Sequence, residues 1–199
     1  MSINKNQKIN PFSYWVIPEH FAAGEYPGDQ FSKNIKTFLG TIIHLINAVL
    51  KSKSIIWNSS HKKIGNLLDL GVLVFVDLTE QNERISYQPI LHKERRRRGV
   101  STQYIRFPVA DRSVPLVEEM KEILDFIDHE IESNKIVYLH CFRGLGRTGT
   151  TIGCYLVRHG LSGQDALNKI DELRKNVAGD FRDSPETEEQ KLFVLNWKE

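Results

Sequence analysis

Cysteine is nearly absent: the chain of 199 residues holds two, Cys141 and Cys154. So sparse a pair excludes a disulfide framework, and no cysteine–histidine spacing suits a zinc finger. Any important cysteine is expected to act as a free thiol in a reducing compartment. Long apolar runs are missing too. The best stretch, Ile35 to Leu50, is too short to span a bilayer and carries Lys36, His44 and Asn47. The N-terminus, MSINKNQKINPF, lacks the apolar core of a secretory signal. The expectation is a cytoplasmic protein with no membrane span. Neither sign of charge dominates, since the formal net charge is +2, which says little about partners. No internal repeat and no low-complexity linker divides the chain. One domain over 13–199 behind a loose arm, 1–12, is the simplest organisation.

Strand and helix patterns alternate along the chain. Tyr14 to Ile17 reads as a strand, and the glycine- and proline-bearing segment 22–30 as loop. Residues 31–50 have helical apolar spacing, and a second helix is expected from about Ser60 to Leu70. Together 31–60 look like a variable helical insertion. Val72 to Val76 is a continuous β-branched run, the pattern of a strand covered on both faces. Another strand is expected over Tyr104 to Val109, a helix over 115–133, and a strand over Ile136 to Leu139. A helix after Gly149 and helices over 163–176 and 185–198 complete the pattern, the last with Ser184 as cap and Pro185 at its first position. Strands alternating with helices imply an α/β fold: a central, mostly parallel sheet flanked by helices.

The chemistry concentrates in Ile136 to Gly153, IVYLHCFRGLGRTGTTIG. A buried strand delivers His140 and Cys141. The loop Phe142, Arg143, Gly144, Leu145 and Gly146 follows, and Arg147 opens a helix. A cysteine attacks as thiolate, and inward amides, a helix N-terminus and an arginine all favour that form. Glycines allow the curvature that turns successive N–H groups inward, where they and the helix dipole hold a dianion. Arg147 adds a planar fork for two phosphate oxygens. Thr148 is placed to donate a hydrogen bond to the cysteine sulfur as it leaves. His140 is expected to anchor the loop through hydrogen bonds.

HCFRGLGRTG resembles the signature of the cysteine-based protein tyrosine phosphatases: His-Cys, five residues, then Arg followed by Ser or Thr. The segments AAGEYPG, VFVDLTE and SPETEEQ extend the likeness toward a compact, dual-specificity-like branch. The resemblance covers roughly residues 14 to 197 and is weak over 31–60. It implies a phosphocysteine intermediate with no metal and no cofactor, and a general acid on an upstream loop. FPVADRSVP, residues 107–115, looks like that loop, with Asp111 as the acid. It departs from the commonest pattern, having no tryptophan before the aspartate and Ala110 in place of a proline. The implied substrate is a phosphorylated protein carrying phosphotyrosine, phosphoserine or phosphothreonine. Phosphoinositides and RNA 5′-phosphates are less favoured, since lipid-directed members carry lysines in the loop and this loop has none. The larger tyrosine-specific members carry a recognition loop with an aromatic residue that deepens the pocket; no clear match is seen here, although Tyr87 lies in a plausible region.

Other residues have plainer readings. Cys154 suits a small core residue on a helix, with a redox partnership to Cys141 as the alternative. Asp77, ending the VFVDL strand, competes with Asp111 for the acid role but better suits fixing neighbouring loops. Arg143 either touches substrate or is merely solvated. The run Arg95 to Arg98 reads as a solvated face, with steering of an anion as the alternative. Gln190 reads as a surface glutamine, although it falls at a helix position shared with related phosphatases. GLGRTG also matches the dinucleotide fingerprint G-x-G-x-x-G. That fingerprint needs a second strand ending in an acid about twenty residues on, and here helical patterns follow instead. A silent phosphate-binding module would be expected to lack the cysteine, the arginine or the acid, and all three are present.

Overall fold

The computed structural model describes residues 9–28 and 48–199, the side chains of 48–58 excepted. The expected arm up to residue 8, and residues 31–47 of the helix predicted over 31–50, lie outside the described residues. The elements run β1 (Ser13–Ile17), β2 (Phe21–Gly24), α1 (Ala48–Asp69), β3 (Val72–Asp77), α2 (Gln88–Arg98), β4 (Gln103–Arg106), α3 (Val117–Glu132), β5 (Ile136–His140), α4 (Gly146–Arg158), α5 (Gly163–Arg174) and α6 (Glu188–Leu195).

These strands form one sheet in the order β1-β2-β5-β3-β4, parallel except for the β1–β2 pair. Side-chain alternation along each strand sorts the core into two layers. Val74, Val76, Val137 and Leu139 face a layer built by Met120, Ile123, Leu124 and Ile127 of α3, Ile152 and Cys154 of α4, Ile170 of α5 and Val194 of α6. Phe75 and Tyr138 face the opposite layer, with Ile64 and Leu67 of α1 and Ile90 and Leu91 of α2. The predicted α/β architecture is therefore present, with helices on both faces.

Five local expectations are corrected. Residues 21–24, which overlap the loop expected over 22–30, form β2. It is buried throughout because Ala22, Ala23 and Gly24 are small enough to lie between β1 and β5. Helix α1 continues through residues 51–59, where a break between two helices was expected. Arg95 to Arg98, expected only as a solvated face, form the last turn of α2. Its Arg98 binds Asp69 at 2.7 Å and also pairs with Glu94. Arg95 donates to the Thr102 carbonyl, so only part of the arginine run faces solvent. The last helix begins at Glu188, not Pro185, and Thr187 caps it by accepting from the Gln190 N–H. The arm ends early, since Ile9 is buried in the α1–α2 layer.

Strand register is what positions the site. Gly24, His140, Asp77 and Arg106 are consecutive partners across β2, β5, β3 and β4. They form one row at the carboxyl edge of the parallel strands, the edge where open α/β sheets bind ligands.

Candidate active site

Cys141 follows β5 directly and is 3% exposed. It lies in a pocket of about 180 Å³ that Asp111, Phe142, Arg143, Gly146 and Arg147 also line. The chain then turns through 142–145 and enters α4. Gly144 has φ +71°, and a Cβ there would lie 2.4 Å from the carbonyl carbon and oxygen of Gly24, so only glycine fits. The loop's carbonyls are used by its surroundings. The Phe142 carbonyl accepts from the Tyr26 N–H at 3.0 Å, and the Leu145 carbonyl accepts from Ser184 Oγ at 2.9 Å. Among the described residues, the N–H groups of Phe142, Arg143, Gly144 and Leu145 donate to no protein acceptor. A row of unused amides beside a helix N-terminus is a concavity suited to an anion.

Arg147 is held from three sides. Its Nη1 donates to Glu83 Oε2 at 2.8 Å and to the Val109 carbonyl at 3.0 Å. Its Nη2 donates to Glu83 Oε1 at 2.9 Å and to Asp111 Oδ1 at 3.0 Å. The Glu83 pair is a bidentate fork, which fixes the guanidinium plane. Burial raises the pKa of Glu83, but the hydrogen bonds and charge of Arg147 outweigh it and leave the carboxyl below its usual range. Burial likewise disfavours the charge on Arg147, and Glu83 and its other anionic neighbours more than restore it. Arg84 lies against the loop, its guanidinium carbon 3.2 Å from the centre of the Phe142 ring.

His140 lies behind the loop, fully buried. Its Nδ1 faces the Cys141 carbonyl at 3.2 Å and its Nε2 meets the Tyr87 hydroxyl at 2.7 Å. A carbonyl only accepts, so Nδ1 carries the proton and Tyr87 donates to Nε2. Burial outweighs the nearby Asp77 charge and lowers the histidine's pKa, so the ring is neutral. Its contact to the loop is the bond to the Cys141 carbonyl. Tyr87 is 1% exposed, so it serves His140 and does not deepen the pocket.

Asp77 is also fully buried. It accepts from the Thr79 N–H and hydroxyl, the Tyr104 hydroxyl, and Nε and Nη2 of Arg106. Its oxygens are committed to holding loops. Asp111, by contrast, has a side chain that is 68% exposed, and it lines the pocket with Cys141. The segment bearing it is latched by the Val109 N–H on the Leu78 carbonyl at 3.1 Å and by Gln190 Nε2 on the Ser113 carbonyl at 3.0 Å. Gln190 is thus not a surface residue. It is 0% exposed, and its Oε1 also accepts the N–H groups of Glu186 and Thr187.

Three further expectations change or sharpen. Thr148 is buried, but its hydroxyl has no hydrogen-bond partner among the described residues, so the expected bond to the cysteine sulfur is not formed. Burial raises the pKa of Cys154 far above the ordinary thiol value, which keeps it protonated in the core. Arg143 projects outward, with a side chain 57% exposed and 3.6 Å from Glu186. Sequence reading missed Glu83, Arg84 and the burial of Gln190. Only the TxxQ capping-box pattern at Thr187–Gln190 carried a local signal for any of them.

Comparison with known proteins agrees with this geometry. An uncharacterised protein of Methanocaldococcus jannaschii is 33% identical over 98 residues, 49% of this chain and 55% of that protein. Such matches span little more than half the length of the curated relatives. Among solved structures, Tk-PTP in its active form has a TM-score of 0.63 at 21% identity, over 93% of this chain and 96% of that one. A cysteine-to-serine variant of Pseudomonas aeruginosa TpbA, solved in complex with pTyr, has a TM-score of 0.60 at 16% identity, over 96% and 88%. The family described as "Polymorphic toxin system, DSP-PTPase phosphatase" matches residues 51–161, more than half of the chain. The chain belongs to that DSP-PTPase phosphatase family, within the cysteine-based protein tyrosine phosphatase superfamily.

Proposed function

We propose that the protein hydrolyses phosphate monoesters on phosphorylated proteins through a phosphocysteine intermediate. The observation that carries this reading is the row of unused N–H groups between Cys141 and the forked guanidinium of Arg147. A phosphoryl group seated there meets the sulfur from below and Arg147 from the side. The thiolate of Cys141 attacks phosphorus, and the ester bond breaks. Asp111 protonates the leaving oxygen. Water, deprotonated by the Asp111 carboxylate, then attacks phosphorus, and the thiolate leaves with inorganic phosphate released. Phosphate binding takes up the Arg147 edge that Asp111 now holds, which frees Asp111 to face the ester oxygen.

The test is turnover of p-nitrophenyl phosphate and of phosphotyrosyl, phosphoseryl and phosphothreonyl peptides without added metal. Phosphoinositide vesicles and RNA 5′-phosphates complete the panel. Cys141→Ser is expected to abolish turnover while retaining phosphopeptide binding. Turnover by Cys141→Ser, or a strict need for a divalent ion, would refute the mechanism. A preference for the lipid or RNA arm would move the substrate class and leave the chemistry intact.

A further inference from the structure

The loop between α5 and α6 holds a phenylalanine out in solvent. Phe181 is 82% exposed, whereas Arg174 beneath the loop is 2% exposed. Arg174 donates from Nη1 to the Arg182 carbonyl at 2.7 Å and from Nη2 to the Gly179 carbonyl at 3.3 Å. The Arg182 N–H bonds the Gly179 carbonyl at 3.0 Å, and Asp180 accepts from the Asn176 N–H at 3.2 Å. The Ala178 N–H donates to the Pro11 carbonyl at 2.6 Å, which ties the loop to the segment carrying Phe12, itself 42% exposed. A buried arginine on two main-chain carbonyls fixes the loop shape. The exposure of Phe181 is therefore imposed by the fold.

Phe12, Phe142 and Phe181, with Arg143 and Arg182, wall a cleft of about 330 Å³. Phe142 and Arg143 also wall the catalytic pocket, so the two cavities meet at the phosphate loop. The Arg182 guanidinium lies 5.5 Å from the Phe181 ring centre. Nearby carboxylates are already engaged: Glu25 by Lys63, Asp183 by Lys191 and Glu186 by Arg143.

We propose that this cleft is a peptide subsite. It takes an apolar or aromatic residue flanking the phosphorylated residue of a protein substrate, with an acidic neighbour drawn to Arg182. The proposal rests on the phosphatase reading of the Cys141 pocket. An extended peptide advances about 3.3 Å per residue, so a residue one or two places from the phosphoresidue passes over Phe142 into the cleft. Aromatic walls gain most from burying an apolar or aromatic side chain. A guanidinium favours a carboxylate partner. An aryl phosphate has no flanking residue and occupies only the catalytic pocket.

The experiment compares wild type, Phe181→Ala, Phe181→Leu and Arg182→Ala. Each is assayed for kcat/KM on phosphotyrosyl peptides with Glu-Phe or Gly-Ser flanks, on p-nitrophenyl phosphate, and on phosphoinositide vesicles. The same surface substitutions in the Cys141→Ser background give peptide Kd values. Phe181→Ala is expected to lower kcat/KM on the Glu-Phe peptide about tenfold or more, with the Gly-Ser peptide and the aryl phosphate unchanged. Phe181→Leu restores part of the loss, and Arg182→Ala weakens only the acidic-flanked peptide. Equal peptide kinetics for wild type and Phe181→Ala would overturn the subsite. A loss confined to vesicles would also overturn it and make Phe181 a membrane contact. If wild type turns over no phosphomonoester, the proposed function fails, and the Cys141→Ser affinities still decide the cleft: a preference for Glu-Phe lost in Phe181→Ala supports it, and none refutes it.

Discussion

At the scale of single residues, the two cysteines show how surroundings decide chemistry. Cys141 faces a pocket lined by Arg147, whereas Cys154 is 0% exposed among apolar side chains. Cys154→Ala is therefore expected to leave the pH profile of turnover unchanged. Glu83 touches no reacting atom in the proposed mechanism but fixes the plane of Arg147. Glu83→Gln breaks the ionic fork and is expected to lower kcat/KM about tenfold to a hundredfold, the cost of misplacing a positioned group. Binding of phosphopeptide to the Cys141→Ser protein should weaken in parallel, which separates this role from a fold defect with normal affinity. Asp111→Asn should cut kcat by roughly 10²–10⁴-fold. The loss should be largest with poor leaving groups, measured across a series of aryl phosphates. A uniform effect along that series would transfer the acid role elsewhere.

At the scale of elements, the loop from Cys141 to Arg147 depends on two neighbours that approach it closely. Gly144 lets the loop meet the end of β2, since a Cβ would collide with the Gly24 carbonyl. Gly149 lets α4 meet the Ser184 segment, where a Cβ would lie 2.3 Å from Ser184 Oγ. Gly144→Ala is strained both by its φ of +71° and by that collision. It is expected to cost at least about 1–3 kcal/mol and to displace the loop, read as a lower Tm together with lost vanadate binding. Helix α6 acts through its first turn. Gln190 closes the capping box with Thr187 and also bonds the Ser113 carbonyl on the segment that carries Asp111. Gln190→Ala is expected to destabilise the protein by about 1–3 kcal/mol, since it removes partners from buried main-chain groups. Hydrogen exchange should rise in residues 110–115 before it rises in the sheet.

At the scale of the whole molecule, the carboxyl edge of the sheet couples stability to the site. Asp77 sits in the row with Gly24, His140 and Arg106, and burial alone would raise its pKa. Hydrogen bonds from Thr79, Tyr104 and Arg106 outweigh burial and lower it. A folded-state value below the ordinary aspartate value of about 3.9 means the stabilisation is fully present above about pH 4. It is lost as pH falls further, through the depressed folded value. Asp77→Asn should lower Tm at neutral pH, and the gap to wild type should narrow below about pH 4, measured by thermal melts across pH. A gap independent of pH would show that the carboxylate charge does not contribute.

The sequence by itself determined the proposed nucleophile, the glycine loop and the arginine beside it, because Cys141 to Arg147 is a contiguous stretch whose spacing is its geometry. It also determined the alternation of buried strands and amphipathic helices, and hence the α/β layers. Tertiary structure decided what holds those groups in place. Glu83 reaches Arg147 across 64 positions, Gln190 reaches Ser113 across 77, and Tyr87 reaches His140 across 53. No periodicity records such pairings. The alanines of β2 hid a central strand for the same reason: their small size suits a crowded position that only the neighbouring strands define. Local spacing writes the chemistry into the chain. The supports that orient it depend on strand order and register, which exist only once the sheet has formed.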